Sequence, residues 1–250
     1  MSEGPQVKLR TEWLARHLTG KRADRVFSGR PKLLEVGSVL SGQRIEQCTC
    51  KGKHIFISFD NGRHLHNHLL MRGQWRKMKG PFLFAPDGIW LMIEVGSQAI
   101  CNINGQVLNL LDDEGVRKVR DTLGPDILAE PYPEEEIAIR LRSSRRPVSE
   151  AIMDQSIISG IGNVAKSESL YLAGIDPRQP ANQLEEPALL RLIGAMRSIM
   201  LESYTQGGRW IHRVYHQAGK ACPACGHKIA TIRMPPTKRT TFFCSYCQCR

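Results

Sequence analysis

Four cysteines near the carboxyl end of this 250-residue chain constrain its fold more than any other feature. They form two short pairs, Cys222-x2-Cys225 and Cys244-x2-Cys247, with eighteen residues between the pairs. Thiolate pairs at this spacing are typical of tetrahedral zinc sites, in which the intervening residues form a hairpin. Because four thiolates leave no open position for water, the spacing predicts one structural Zn²⁺. The alternative, a redox-active Cys-x-x-Cys, is disfavoured because no βαβ pattern surrounds the pairs.

Positive charge is concentrated in the same part of the chain. The sequence has 35 Lys and Arg against 24 Asp and Glu, a net charge of +11. Eight of the basic residues, and none of the acidic ones, lie between Gly207 and Arg250. A concentrated positive surface indicates a polyanionic partner, most often nucleic acid, because neutralised phosphates release their counterions. The alternative is a basic tail that serves solubility alone.

The chain contains neither an apolar stretch of membrane-spanning length nor a signal-peptide pattern. We therefore expect a cytoplasmic, nucleoid-associated protein with no membrane partner. A monomer is expected, and no motif indicates an organic cofactor.

The residue pattern changes along the chain from strands to helices. Between about residues 42 and 111, β-rich runs alternate with turns such as Asn61-Gly62 and Asn104-Gly105, which predicts an antiparallel sandwich or barrel. Helices are predicted at about 134–143, 149–158, 163–173 and 185–204. The predicted domains are a β domain at 1–123, a linker at 124–134, a helical domain at 135–208 and a zinc finger at 209–250.

A glycine-rich turn, Ser159-Gly160-Ile161-Gly162-Asn163, separates two of the predicted helices. Asn163 is placed to be the N-cap of the second helix, and the two glycines allow the backbone to approach another surface closely. Free amides at that helix N-terminus could bind phosphate. A purely structural turn is the alternative.

Seven short segments form an ordered set that is more specific than any one of them. The segments are Met1-Ser2-Glu3-Gly4-Pro5, Lys51-Gly52-Lys53, His68-Leu69-Leu70-Met71-Arg72-Gly73, Gly124-Pro125-Asp126, Met153-Asp154-Gln155, Gly160-Ile161-Gly162-Asn163 and the four-cysteine hairpin. In these segments the chain resembles, nearly end to end, the formamidopyrimidine-DNA glycosylase/endonuclease VIII family of base-excision repair enzymes. The resemblance implies an α+β fold with an N-terminal antiparallel β-sandwich and flanking helices. A C-terminal helical domain with a helix–two-turn–helix and a four-cysteine zinc-finger hairpin would follow.

The resemblance also implies the chemistry. The family flips a damaged base out of DNA, attacks its sugar with the mature N-terminal amine and cleaves the strand through a Schiff base. An α-amino group has a pKa of about 7.7–8.0, so part of it is unprotonated and nucleophilic at neutral pH. Here Ser2 stands where the family usually has proline, so removal of Met1 would leave a primary amine.

Individual residues carry over by position. The resemblance implies catalytic roles for Ser2, Glu3, Lys53 and Arg239, and DNA contacts by Lys53, Met71, Asn163 and Arg239. Glu3 would protonate the opening sugar or the leaving base. Lys53 and Arg239 would contact the phosphates beside the lesion, and Met71 would fill the gap left by the flipped nucleotide. Gln6 replaces a glutamate common in the family, and an amide cannot exchange protons.

The substrate is expected to be damaged DNA, double- or single-stranded. Purine-preferring members have a long loop between the last long helix and the zinc-finger strands, whereas here only Gly207-Gly208-Arg209-Trp210-Ile211 is expected to separate them. The short connection favours the endonuclease VIII-like branch, and hence oxidised pyrimidines. Two alternatives stay open. One is a lesion-binding protein of this fold with weakened catalysis, favoured by Ser2 and Gln6. The other, a generic zinc-finger regulator, leaves the N-terminal motif unexplained.

Overall fold

The computed structural model describes residues 2–33, 35–79, 88–105 and 107–249. The chain divides into two compact units, each with its own core. The first unit comprises Met1–Ser2 and Val7–Asp121, and the second comprises Glu3–Gln6 and Thr122–Arg250. The finer division into a linker at 124–134 and a zinc finger from 209 stays a prediction.

Helices and strands follow the order expected from the sequence, with the strands of the β domain before the helices predicted at 134–204. The amino-terminal part contains α1 (Gly4–Leu18), β1 (Arg25–Phe27), α2 (Val36–Leu40), β2 (Ile45–Lys51), β3 (His54–Phe59), β4 (His64–His68), β5 (Gln74–Lys79), β6 (Ile89–Val95), β7 (Gln98–Ile103), β8 (Val107–Leu111) and α3 (Asp113–Asp121). The carboxyl-terminal part contains α4 (Glu134–Arg142), α5 (Val148–Ala151), α6 (Asn163–Ala173), α7 (Glu186–Thr205), β9 (Ala230–Arg233), β10 (Thr240–Phe243) and α8 (Ser245–Gln248). Short 3-10 helices lie at Pro31–Leu33 and Ala181–Gln183.

The first unit is the predicted antiparallel β-sandwich. Its two sheets have the strand orders β1-β6-β7-β5 and β2-β3-β4-β8. Side chains from both sheets, such as Ile57 and Ile93, join one buried cluster, to which α1 adds Leu14. In β3 and β6 every second side chain joins this cluster, as expected for strands, namely Ile55, Ile57, Phe59, Leu91, Ile93 and Val95. Trp75 is buried in this core because its indole N–H donates to Asn67 Oδ1 at 2.9 Å.

The second unit is a helical body followed by a two-stranded hairpin. Apolar faces of α4, α6 and α7 meet in one core, and β9 pairs antiparallel with β10, with Arg233 opposite Thr240. A helix was expected at 149–158, but α5 ends at Ala151, so the prediction is wrong for the residues that follow. Asp154 Oδ1 accepts the Ser156 N–H at 2.8 Å, and such a local side-chain bond competes with helix continuation.

The short connection expected after α7 is also not as predicted. The first hairpin strand begins at Ala230, so residues 206–229 separate it from the helix. The middle of this segment is held by the buried Glu168, whose carboxylate accepts the backbone N–H groups of Arg213, Val214 and Tyr215. The backbone N–H groups of residues 213–215 therefore have hydrogen-bond acceptors without pairing in a β-sheet. Among the described residues, none of the helices combines the length and apolar character needed to cross a bilayer.

Candidate functional site

Glu3 is fully buried in the second unit, where its carboxylate caps α6. Oε1 accepts the Val164 N–H at 2.8 Å, and Oε2 accepts those of Gly162 and Ala165 at 3.1 and 3.2 Å. The first amides of a helix have no partner within the helix, and their positive end favours a carboxylate. Three directed bonds therefore fix the position of Glu3.

This arrangement corrects two predictions about the glycine-rich turn. The N-cap of α6 is Gly162, and Asn163 is the first helical residue. Its side chain instead donates to the Thr240 carbonyl at 3.0 Å. The amides predicted to be free for phosphate are bonded to Glu3 at residues 162, 164 and 165, so they are not available.

The prediction that the two glycines allow close approach is confirmed. A Cβ on Gly162 would overlap the carboxyl carbon of Glu3, so no larger residue fits there. Gly160 has a φ of +105°, and its carbonyl accepts the Gly4 N–H at 2.9 Å. The surface that approaches the turn is the amino-terminal segment.

Gln6 uses both ends of its amide. Its Oε1 accepts the Glu3 N–H at 2.9 Å, and its Nε2 donates to the Gly208 carbonyl at 2.5 Å. A glutamate at this position could not donate the second bond. Gln6 therefore fastens the segment that carries Glu3 and offers no second carboxylate.

The sequence analysis missed two buried charges in this neighbourhood. Lys166 is 0% exposed and Glu150 is 2% exposed. Burial lowers the pKa of Lys166 to about 8; Glu150 and Glu3 oppose this shift, and Arg239 adds to it. The buried position of Lys166 could have been predicted from its spacing on α6. It lies four residues before Leu170 and seven before Ala173, which places the lysine on the stripe of the helix that faces the core.

Arg239 lies in the loop between β9 and β10 and is exposed. The loop is anchored by Thr237, whose N–H and Oγ1 both donate to the Glu150 carboxylate, at 3.2 and 3.0 Å. The Arg239 N–H donates to Thr237 Oγ1 at 3.4 Å. A buried carboxylate thus holds the base of the loop that presents the arginine.

The predicted cysteine quartet forms one cluster. The Sγ atoms of Cys222, Cys225, Cys244 and Cys247 all lie within 4.8 Å of one another, and none of the four is in a disulfide. Two of the Sγ–Sγ distances are 3.4 and 3.9 Å. A tetrahedral site with metal–sulfur bonds of about 2.3 Å needs sulfur atoms about 3.8 Å apart. The four residues are therefore positioned to bind one metal ion.

Lys53 sits in the first unit, in the two-residue turn between β2 and β3. The turn needs Gly52, whose φ is +57°, and Lys53 is only 7% exposed. Lys51, the other lysine of the motif, donates from Nζ to the Arg120 carbonyl at 3.0 Å. Lys51 thus has a structural partner.

Three histidines on β3 and β4 form a cluster, and two of them interact with the charge of Lys53. Burial lowers the pKa of His54 to about 3 and those of His66 and His68 to about 4. The charge of Lys53 adds to the lowering of the pKa of His54 and His68. His54 Nδ1 and His66 Nε2 are 2.8 Å apart, so the rings pack as a hydrogen-bonded pair.

Ser2 lies at the turn that carries Met71. The Ser2 N–H donates to the Leu70 carbonyl at 3.4 Å, and the Leu70 N–H donates to His68 Nδ1 at 3.0 Å. Leu70 has a φ of +47°, which is strained for a leucine. Met71 follows it and is 61% exposed. The structure thus brings the predicted nucleophile and the predicted gap-filling residue together in the first unit.

Two protein-family models and several known proteins match most of the chain. Residues 1–98 match the formamidopyrimidine-DNA glycosylase N-terminal domain, and residues 123–214 match the formamidopyrimidine-DNA glycosylase H2TH domain. Endonuclease 8 of Pectobacterium carotovorum is 27% identical over 264 residues. The formamidopyrimidine-DNA glycosylase of Paracoccus denitrificans is 28% identical over 280 residues. Both alignments cover 99% of this chain and 100% of the relative.

Solved structures have the same fold. Formamidopyrimidine-DNA glycosylase of Lactococcus lactis, in complex with DNA containing an abasic site, superimposes with a TM-score of 0.86 at 23% identity, covering 100% of both chains. A second complex of the Lactococcus lactis protein, with DNA containing N7-benzyl-Fapy-dG, also has a TM-score of 0.86.

Proposed function

This chain belongs to the formamidopyrimidine-DNA glycosylase family, and on that premise we propose that it excises damaged bases from DNA and cleaves the abasic strand. The observation that carries the proposal is the buried, triply hydrogen-bonded Glu3 directly after Ser2. A carboxylate fixed beside the terminal amine is what an amine-driven excision needs for proton transfer.

Each step can be given to a residue of the chain. After Met1 is removed, the Ser2 nitrogen bonds to the sugar C1′ as the glycosidic bond breaks, and the base leaves with that electron pair and a proton. Glu3 supplies a proton as the sugar ring opens to the imine. Loss of a C2′ proton then expels the 3′-phosphate, and water releases the amine. The Leu70 carbonyl, which accepts the Ser2 N–H, supports this placement of the nucleophile.

DNA contacts are proposed for the residues that match the family motifs. Lys53 and Arg239 would bind backbone phosphates, Asn163 would contribute a further polar contact, and Met71 would fill the vacated base position. The exposure of Met71 supports its role, since a core methionine would be buried. The proposed site of action is the nucleoid, because the substrate is DNA.

The metal is proposed to be zinc in a structural role. An all-thiolate tetrahedral donor set suits Zn²⁺, and it leaves no coordination position for substrate. Zinc would hold the hairpin that presents Arg239.

Oxidised pyrimidines are the proposed substrates. The alignment with endonuclease 8 spans 264 residues and that with the glycosylase 280, so the latter needs longer insertions. Excision of thymine glycol and of 8-oxoguanine from otherwise identical duplexes tests the preference. Faster release of 8-oxoguanine would contradict it.

Weakened catalysis is the second candidate function, favoured by Ser2 and by the structural use of Gln6. Such a protein would bind abasic DNA tightly and release no base. Single-turnover assays with excess protein distinguish it from the enzyme.

Glu3→Gln should abolish excision and lower the melting temperature by about as much as its control. Glutamine keeps an acceptor for the α6 amides but cannot transfer a proton, so we expect the single-turnover rate to fall by about 10²–10⁴-fold. The matched control is Glu168→Gln, which changes another fully buried carboxylate with three backbone N–H partners. The control should lower the melting temperature without a comparable loss of rate. Equal losses in both variants would show that Glu3 is only structural.

Arg239→Ala should weaken binding to DNA of any sequence. Loss of a charge-assisted phosphate contact lowers affinity by about tenfold or more, and the slope of log K against log salt falls by about one. Fluorescence anisotropy at several salt concentrations measures both. Arg178→Ala is the control, because it removes an exposed arginine already paired with Asp176. Unchanged affinity of the Arg239 variant at moderate salt would contradict the proposed phosphate contact of Arg239.

A further inference from the structure

Two of the buried carboxylates of the second unit interact with a buried lysine. Glu3 comes from the amino-terminal segment, Glu150 from α5 and Lys166 from the first turns of α6. All three are essentially inaccessible to water. Buried charges are costly unless they are paired, so this grouping calls for a physical reason.

Each carboxylate has its own hydrogen-bond donors. Glu3 accepts three α6 amides, and Glu150 accepts two bonds from Thr237. Among the described residues, no hydrogen-bond partner exists for the Nζ of Lys166. The ammonium group is therefore held by charge and not by directed bonds to one acceptor.

The charged groups that act on Lys166 come from three different elements. Glu3 and Glu150 stabilise its ammonium form, while Arg239, in the β9–β10 loop, disfavours it. The carboxylate proposed to transfer a proton and the arginine proposed to hold phosphate therefore both act on the same buried cation. Glu150 also connects Lys166 to Arg239, because it interacts with Lys166 and anchors the loop that carries Arg239.

Three further buried polar atoms lie on α5, α6 and β10. Ser149 Oγ, Asn163 Oδ1 and Thr241 Oγ1 are buried, and no acceptor or donor meets them within the described residues. Ser149 adjoins Glu150, Asn163 lies one turn before Lys166, and Thr241 follows the residue whose carbonyl accepts the Asn163 side chain. Because α5 and β10 both contact α6, these atoms lie on the elements that carry Glu150 and Lys166 or pack against them.

We propose that Lys166 is a positioning residue for excision, whose buried ammonium group is shared between Glu3 and Glu150 and so sets the charge state of Glu3. The inference rests on the proposed function only for the role of Glu3 in proton transfer. Removing Lys166 takes away a positive charge that interacts with Glu3, which favours the protonated form of Glu3. Removing the charge of Glu150 leaves the cation to Glu3 alone, which favours its carboxylate.

Two substitutions with opposite expected effects test this inference. The titration of the Glu3 carboxyl carbon is followed by ¹³C NMR, with the signal assigned by its absence in Glu3→Gln. Lys166→Met should move the titration to higher pH by about one unit, since a nearby opposite charge shifts a carboxyl by that order. Glu150→Gln should move it to lower pH. The pH profile of single-turnover thymine glycol release should move in the same directions.

Two further variants separate charge from packing. Lys166→Arg keeps the positive charge and should restore the wild-type titration. Glu168→Gln removes a buried carboxylate that is not among the groups acting on Lys166, and should leave the Glu3 titration in place. If Lys166→Met does not fold, Lys166→Gln removes the same charge and takes its place, with the same expected shift of the Glu3 titration to higher pH.

The inference and the proposed function fail in different ways. Shifts of equal sign in Lys166→Met and Glu150→Gln, or no shift in either, would overturn the role of Lys166. Wild-type protein that releases no base at any pH would overturn the enzymatic function, while the opposite NMR shifts would still support the charge sharing.

Discussion

Borohydride is expected to link this protein covalently to abasic DNA through the nitrogen of Ser2, and only when Ser2 is the first residue. Reduction of the Schiff base converts a transient bond into a stable amine, so the adduct reports the nucleophile directly. The α-amino group is suited to the role because its pKa of about 7.7–8.0 leaves part of it unprotonated at neutral pH.

The sharpest form of the experiment uses one protein in two states. A removable amino-terminal extension is left in place in one sample and cleaved in the other so that Ser2 becomes the terminus. We expect trapping to be at least about a hundredfold slower with the extension, because an ordinary lysine, with a pKa of about 10.4, offers less than a hundredth of the free amine. Mass spectrometry of the digested adduct should place the DNA remnant on Ser2.

Two outcomes would contradict this prediction. One is strand cleavage at full rate by protein whose terminus is blocked. The other is an adduct on a lysine side chain in place of the Ser2 nitrogen. Ser2→Pro is the matched positive control, since a secondary amine must form a cationic iminium and should be trapped at least as efficiently.

Cys244→Ser should release the metal and abolish DNA binding while leaving the β-sandwich folded. The hairpin has little apolar core of its own, because β9 and β10 are four residues each and their buried cluster is small. Structural zinc supplies about 10–16 kcal/mol in small zinc domains at neutral pH. Without it the loop that presents Arg239 keeps only hydrogen bonds such as those of Thr237 to Glu150.

Three measurements check this expectation. Zinc content should fall from one ion per chain to none, DNA affinity should fall by at least about a hundredfold as several phosphate contacts are lost, and hydrogen exchange in β2–β8 should stay slow. Cys249→Ser is the control, because Cys249 is exposed and lies outside the metal cluster. Full DNA binding after chelation of the metal would refute the coupling.

Local patterns account for what could be predicted. The cysteine spacing predicted the cluster, and the alternation of β-rich runs and turns predicted the sandwich. Both depend on residues close in sequence, whose geometry follows from covalent spacing. The helix ends were less predictable because they depend on competing partners. Asp154 ended the helix that starts at Val148, and Glu3 took the capping role expected of Asn163.

The sequence alone determined which residue types are available: the four thiols, the basic carboxyl end and an ordered set of motifs that identifies the family. The tertiary structure decided which charges are buried together. Glu3 caps a helix about 160 positions away, and Glu150 anchors the loop of Arg239 from 87 positions away. Such partners follow from packing, because a carboxylate leaves water only where the fold gathers enough donors to replace it.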